Sequence, residues 1–414
     1  MGKINLRSSG YRKYLLESLV LLVVFIASWI GLGSYASGVL LLAFIFAMFF
    51  REKRVFFFRD KTLIVLVSLF TLSCIVSSLF SIDRVTSTLL SLVWFLMLII
   101  PMSYTRFSLN EESDFFIKII VPVSAFLIFF IVFQLYFKFL FNLAEKGVVI
   151  QRYTARFHGK ASTPDVLVML GGIGYGWLRQ KEGEKFRWLG FLYLMAGFIG
   201  VVLTFDRGGV VAYLALSVLL LSFDYKRLIL FLIIIGVAVF LSFKLKELNR
   251  LTHLFDFLYS EKAHEALWKS SQLATFRAAW GMIKDHWLMG VGTNNFSKFT
   301  RQYGVKRWYA YAHNFILQFW AENGLFGMIL GLSIIGLVIY RWIKCLRYYE
   351  YRYIALGVGA SFTGMLVGNL SNSTIWLMKI ALPFWMLAGA INAMYFMICE
   401  KILEIKIKKS TFNS

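Results

Sequence analysis

The chain has 414 residues, of which 59% are hydrophobic and 18% aromatic, and only 4 are proline. This composition excludes an ordinary soluble domain, in which about half of the residues are apolar. The net charge of +22 would favour nucleic-acid binding in a soluble protein. In so apolar a chain it favours anionic membrane lipid or a phosphate-bearing lipid substrate, and we expect no nucleic-acid partner.

Continuous apolar segments of roughly 16–28 residues recur along the chain without alternation, which argues against a β-barrel. They predict an all-α polytopic membrane protein with about twelve transmembrane helices. In chain order the predicted spans are about 14–33, 35–50, 62–80, 87–103, 114–141, 162–178, 188–205, 210–223, 228–243, 314–340, 353–371 and 376–398.

A long polar segment separates the ninth span from the tenth. We therefore divide the chain into residues 1–243 with nine spans, a helical loop at 244–312, and residues 313–414 with three spans and a tail. When the loops are numbered alternately, Lys and Arg of the short loops fall mainly on one side, which predicts that both termini are cytoplasmic. The 142–160 loop, the Asp206-Arg207 turn and the long loop then lie on the outer face.

One amphipathic helix is predicted inside the long loop. Apolar residues at helical spacing are expected to form its docked face: Leu273, Phe276, Trp280 and Ile283. Arg277 lies beside that face and is expected to point elsewhere. The glycine-rich run from Gly290 to Asn295 is expected to end the helix.

Two arginines are candidates for holding a phosphate group. Arg207 interrupts an apolar region just before Gly208 and Gly209, where a charge is costly and is by default a functional hypothesis. A guanidinium offers a rigid donor fork to phosphoryl oxygens, and Arg207 with Arg277 could balance a departing diphosphate. The alternatives are an interfacial Arg207 that snorkels or pairs with Asp206, and an Arg277 that is a solvated surface charge.

His313 stands at the start of the tenth span and is a candidate general base or polarising hydrogen-bond donor near neutral pH. The alternative is an interfacial histidine that is hydrogen-bonded in an aromatic belt. Glu322 follows nine residues later and is expected to serve packing or a hydrogen bond without touching His313. Gly324 and Gly327 are expected to allow tight helix contact.

The basic, aromatic segment at 151–160, which includes Arg156 and Lys160, is either an interfacial anchor or a contact for anionic lipid or sugar. Metal binding has little support. The five histidines include no His-x-x-x-His pair, and the three cysteines have no ligand spacing. We expect neither a metal nor a cofactor.

Several motifs together resemble the bacterial O-antigen ligase and polymerase family. They are Phe276-Arg277-Ala278-Ala279-Trp280, Gly290-Val291-Gly292-Thr293-Asn294-Asn295-Phe296, His313-Asn314 with Glu322-Asn323-Gly324-Leu325-Phe326-Gly327, and the turn from Thr204 to Gly209. The twelve-span layout with a long outer loop is similar to that family across nearly the whole chain. One departure is His286-Trp287, which stands where family members usually have a proline before the glycine-rich turn.

The resemblance implies a metal-independent membrane glycosyltransferase of the C-type on the periplasmic face of the bacterial inner membrane. Its donor would be a glycan on undecaprenyl diphosphate. In a ligase the acceptor is a sugar hydroxyl of lipid A–core, and in a polymerase it is another lipid-linked repeat unit. We favour the ligase, with the polymerase open, and a transporter of anionic lipid as a third possibility because intramembrane arginines can line a pathway.

The resemblance also implies roles for individual residues. His313, Arg277 and Arg207 are expected to be catalytic. Contacts with substrate are expected from Arg156, Lys160, Asn314 and Asn294.

Overall fold

The computed structural model describes residues 60–103, 131–138, 162–180, 183–204, 206–244, 271–305 and 311–412. Regular structure within these residues is entirely helical, as the sequence predicts. The α-helices are α1 (Lys61–Leu79), α2 (Arg84–Ser103), α3 (Ser162–Gln180), α4 (Glu184–Leu203), α5 (Arg207–Leu221), α6 (Tyr225–Lys244), α7 (Ser271–Asp285), α8 (Phe296–Phe299), α9 (Phe315–Leu346), α10 (Arg352–Asn369) and α11 (Met378–Phe412). Residues 131–138 are also helical, and 3-10 turns lie at Thr300–Tyr303, Tyr349–Tyr351 and Thr374–Trp376.

Four of the described helices are long and apolar enough to cross a membrane. They are Lys61–Leu79, Glu184–Leu203, Phe315–Leu346 and the Ile380–Leu403 part of α11. The chain therefore has the helices of a membrane protein. The number of about twelve spans stays a prediction, because the spans predicted at 14–33 and 35–50, and most of 114–141, lie outside the described residues.

Small residues hold α10 against α3 and α5. A Cβ on Gly357 of α10 would lie 2.3 Å from the carbonyl oxygen of Gly172 of α3, so the two backbones are in contact there. In the same interface Ser361 Oγ donates a hydrogen bond of 2.7 Å to the Met169 carbonyl oxygen. Small side chains and interhelical hydrogen bonds are the usual means of close helix association in a membrane.

The helices α3, α5 and α10 form one group, and α1, α2, α9 and α11 form a second. Aromatic side chains fill the interior of the second group. The Phe319 ring of α9 lies edge-on to Phe70 of α1 and to Trp376 before α11, with ring centroids 5.8 and 4.8 Å apart. Phe362 of α10 stacks on Phe384 of α11 at 4.6 Å. This pair joins the two groups into one bundle.

A buried ion pair connects α1, α9 and α11 near the carboxyl end of α9. Arg341 donates to both carboxylate oxygens of Asp60, with 2.8 Å between Nη2 and Oδ1, and its Nη1 donates to Asn392 Oδ1 at 2.9 Å. Asp60 Oδ1 also accepts the Leu63 amide as the N-cap of α1. Arg341 and Asp60 are 5% and 7% exposed. Removing either charge would leave the other buried and uncompensated.

The helix predicted in the long loop is α7, which ends at Asp285 before the glycine-rich run. Its predicted docked face is confirmed in part: Ile283 is buried, Leu273 and Phe276 are half-buried, and Trp280 is exposed. The prediction was wrong at Trp280, whose ring lies edge-on to Trp320 of α9 with the centroids 6.2 Å apart. Arg277 is exposed, as predicted.

The helix α9 is interrupted at Gly324, where φ is 69° and ψ is −174°. This region of backbone conformation is essentially restricted to glycine. The prediction that Gly324 allows tight contact between two helices was therefore wrong, because the segment packed against Gly324 is the backbone of a loop. A Cβ on Gly324 would lie 2.0 Å from the Leu288 carbonyl oxygen.

Candidate active site

The start of α5 presents Arg207 on a closely packed helix end. Asp206 is the N-cap, and its Oδ2 accepts the Gly209 amide at 2.9 Å. A Cβ on Gly209 would lie 2.3 Å from Pro164 Cβ of α3, and one on Gly208 would lie 2.5 Å from Ser371 Oγ. The two glycines thus let neighbouring segments approach, while Arg207 remains exposed.

The start of α9 is held by Asn314. Its Oδ1 accepts the amides of Ile316 and Leu317, both at 3.0 Å, and its Nδ2 donates to the Leu370 carbonyl oxygen at 3.0 Å. Asn314 therefore caps one helix and binds the end of another. We assigned it from the sequence to substrate contact, although asparagine at the start of an apolar span is also a common N-cap residue.

His313 immediately precedes that cap and is half-buried. Its φ of 56° lies in the left-handed region, which few non-glycine residues adopt. Asn294 in the glycine-rich loop has a similar φ of 61° and is exposed. Both predicted polar residues therefore sit in turns whose shape is imposed by the surrounding structure.

Direct contacts link the segments that carry the three catalytic candidates. The 370–372 turn touches Gly208, beside Arg207, on one side and binds Asn314, beside His313, on the other. On α7, Thr275 Oγ1 lies 3.5 Å from the carbonyl oxygen of Ala312. Thr275 stands two residues before Arg277, so α7 adjoins the same region. Arg156 and Lys160, the other two predicted residues, lie outside the described residues.

Three helices begin in this region. Pro164, near the first residue of α3, meets Gly209 near the first residue of α5, and the start of α9 is tied to the same turn at Leu370. The amino end of a helix carries partial positive charge, and at α5 and α9 the side chains of Asp206 and Asn314 already accept amides of the first turn. An anion at this place would therefore meet arginine side chains together with the partial positive charge of the helix ends.

The glycine-rich loop is inserted into the break in α9. The Val291 amide donates to the Ala321 carbonyl oxygen at 2.9 Å, and the Gly292 amide donates to that of Glu322 at 2.8 Å. Beyond the break, the Leu325 amide donates to the Trp287 carbonyl oxygen at 2.9 Å. The loop thus replaces hydrogen bonds that an unbroken helix would have made within itself.

Glu322 takes part in this insertion and is only 2% exposed. Its Oε1 accepts the Phe296 amide at 3.1 Å, and its carbonyl oxygen accepts Ser77 Oγ at 2.6 Å. The expectation that Glu322 holds a hydrogen bond is confirmed. Its carboxylate fixes the start of α8 to α9.

The glycine-rich loop and the start of α8 are also tied to α2 and to the turn that precedes it. Thr293 Oγ1 accepts from Ser91 Oγ at 3.0 Å and donates to Asn323 Oδ1 at 2.8 Å. At the surface, Lys298 Nζ pairs with Asp83 Oδ2 at 2.6 Å. The hydrogen bond from Lys298, together with those from Thr86, lowers the pKa of the Asp83 carboxyl to about 2.

Two tyrosines near the candidate residues keep their protons at neutral pH. Burial raises the pKa of Tyr311, two residues before His313, to about 12. Burial, together with the hydrogen bond of 2.8 Å that its hydroxyl donates to Asp285, raises the pKa of Tyr303 to about 12. Both phenols are therefore potential hydrogen-bond donors, not anions.

Sequence reasoning missed Ser371, Asn372 and Gln318 as parts of this region. The run Ser371-Asn372-Ser373 was available as a signal, since it is polar and stands between two apolar spans. Gln318 gave no comparable signal, because its contact with Ala312 depends on the turn at His313. Within the described part of the chain, no three His, Cys, Asp or Glu residues are grouped to hold a metal ion.

Residues 190–332 match the family model described as O-antigen ligase. This part of the chain is similar to the O-antigen ligase family. The match contains Arg207, Arg277, His313 and the interrupted segment of α9, so the family resemblance is confirmed on the residues that suggested it. The family and the apolar helices together support a membrane enzyme of O-antigen ligase or polymerase type. A search of curated proteins finds no match to the chain.

Proposed function

We propose that the protein is an O-antigen ligase of the bacterial inner membrane. It transfers a glycan from undecaprenyl diphosphate to a sugar hydroxyl of lipid A–core, without a metal ion. The reaction takes place on the periplasmic face, and both termini are cytoplasmic. The observation that carries this proposal is the set of contacts linking the Arg207, Arg277 and His313 segments where three helices begin.

In the proposed reaction, the acceptor hydroxyl oxygen attacks the anomeric carbon of the donor sugar. The bond between that carbon and the diphosphate oxygen breaks, and its electron pair leaves with undecaprenyl diphosphate. His313 accepts the hydroxyl proton. Arg207 and Arg277 offset the charge that develops on the leaving diphosphate, aided by the positive helix ends. A direct displacement of this kind inverts the anomeric centre.

The remaining predicted residues contact substrate in this proposal. Arg156 and Lys160 precede α3 in sequence and supply further cations for the donor. Asn294 is exposed in the glycine-rich loop and is assigned to the sugar. Asn314 contributes only the Nδ2 hydrogen that does not bind Leu370, since its oxygen caps α9.

The test uses purified protein in lipid nanodiscs with the lipid-linked glycan, in the presence and absence of lipid A–core. We expect a new glycosidic bond only when lipid A–core is present, with inverted stereochemistry and no product from His313→Ala. Retained stereochemistry would contradict the direct displacement.

The polymerase is the second candidate, because the family match covers both reaction types. Growth of the glycan in the absence of lipid A–core would favour it and overturn the ligase. Movement of lipid-linked sugar across the bilayer without a new bond would instead favour transport.

A further inference from the structure

The left-handed backbone at His313 requires an explanation. Such a conformation costs a non-glycine residue about 1–2 kcal/mol, and it persists only when neighbouring contacts enforce it. His313 has a φ of 56°. The contacts on either side of it therefore help to fix the backbone from which its imidazole projects.

One side is held by Gln318. The Ala312 amide donates to Gln318 Oε1 at 2.6 Å, and Gln318 is 1% exposed. Ala312 is itself fully buried and adjoins Thr275 of α7. The peptide that precedes His313 is therefore fixed by a side chain of α9 and packed against the helix that carries Arg277.

The other side is held by Asn314, through its two bonds to α9 amides and its bond to Leu370. His313 thus lies between two anchored residues. The Asn314 anchor is an ordinary helix cap, whereas the Gln318 anchor is unusual. It reaches back over the first turn of α9 to a residue six positions earlier.

We propose that Gln318 is a positioning residue, which orients the His313 imidazole toward the acceptor hydroxyl by holding the Ala312 amide. The proposal rests on the function proposed above. Gln318 need not touch substrate. It acts by holding the backbone of His313 in the left-handed conformation, which is unfavourable for a residue other than glycine.

The test compares Gln318→Met, which keeps the length of the side chain but removes the carboxamide oxygen, with Trp342→Phe. Trp342 lies near the other end of α9 and is also buried, and its Nε1 donates to the Ala355 carbonyl oxygen at 2.8 Å. Each variant loses a hydrogen bond between a buried side chain and a backbone group, and Gln318→Met also removes the contact of the Gln318 side chain with the Glu322 carboxyl group. Trp342→Phe therefore controls for a general loss of stability.

We expect Gln318→Met to lower kcat about 100-fold, the order expected from a displaced catalytic group, while the KM for donor changes less than about twofold. Trp342→Phe should leave both values near wild type. Gln318→Asn, which shortens the side chain by one methylene, is a milder variant if Gln318→Met does not fold, and should lower kcat about 10-fold. Equal kcat values for the folded Gln318 variant and Trp342→Phe would overturn the proposal.

A second readout is independent of activity. The rate at which diethyl pyrocarbonate modifies His313, followed by mass spectrometry of the intact protein and its peptides, reports the exposure of the imidazole. We expect this rate to change at least about threefold in the Gln318 variant and not in Trp342→Phe. If wild type makes no product, the proposed function fails, but a changed rate still supports the positioning role. An unchanged rate contradicts that role.

Discussion

Replacing Gly324 by alanine should detach the glycine-rich loop from α9. The backbone at Gly324 is essentially restricted to glycine, which makes the substitution cost about 1–3 kcal/mol in strain. The new Cβ would also lie 2.0 Å from the Leu288 carbonyl oxygen, so the loop must move. Loss of its three backbone hydrogen bonds to α9, at about 1 kcal/mol each, brings the expected destabilisation to about 4–6 kcal/mol.

The matched control is Gly336→Ala in the same helix. A Cβ on Gly336 has no neighbour within 4 Å, and alanine is about 0.5–1 kcal/mol more favourable than glycine inside a helix. Thermal unfolding in detergent should therefore show a lower midpoint for Gly324→Ala and an equal or higher one for Gly336→Ala. If Gly324→Ala were as stable as the control, the loop insertion described here would be refuted.

Four further predictions concern the site and the fold. His313→Ala and Arg277→Ala should each abolish glycan transfer while the protein stays inserted and folded, and near-normal turnover in both would overturn the site assignment. Arg207→Lys should lose at least about 10-fold in kcat/KM if the guanidinium binds phosphate with two donors, whereas a wild-type rate would indicate that a point charge suffices. Arg341→Met, which leaves a buried carboxylate uncompensated, should cost about 3–5 kcal/mol in unfolding free energy, and an unchanged unfolding midpoint would contradict this. Because the hydrogen bonds from Lys298 and Thr86 lower the pKa of Asp83 from 3.8 to about 2, their stabilising effect should be complete above pH 3.8 and fade as the pH falls toward 2; Asp83→Asn should remove that dependence in an acid titration of unfolding.

The helices themselves could be predicted, because long apolar segments leave few other structures for a chain in a membrane. Predicted spans at 188–205 and 353–371 correspond to α4 and α10 within a few residues. The break in α9 could not be predicted in the same way. Gly324 stands in a continuous apolar segment, and its conformation depends on a loop some thirty residues earlier in the chain.

The ionisable residues of the candidate site could be named from the sequence, but the contacts that hold them in place could not. Arg207 and His313 stand out because charged and titratable groups are rare beside apolar spans. Gln318 and Ser371 are ordinary polar residues in sequence, and their partners come from remote positions. On α7 the periodicity placed Ile283 correctly on the docked face, but it also placed Trp280 there, whose ring is exposed and lies edge-on to Trp320.

The interruption of α9 determines which of its residues are needed to cross the hydrocarbon layer of a bilayer. Residues 325–346 form about 22 residues of helix after the break, or about 33 Å of rise, which is enough to cross a hydrocarbon layer of about 30 Å unaided. The nine residues before the break are then not needed for crossing. They can lie at headgroup level, beside the phosphates of the lipids.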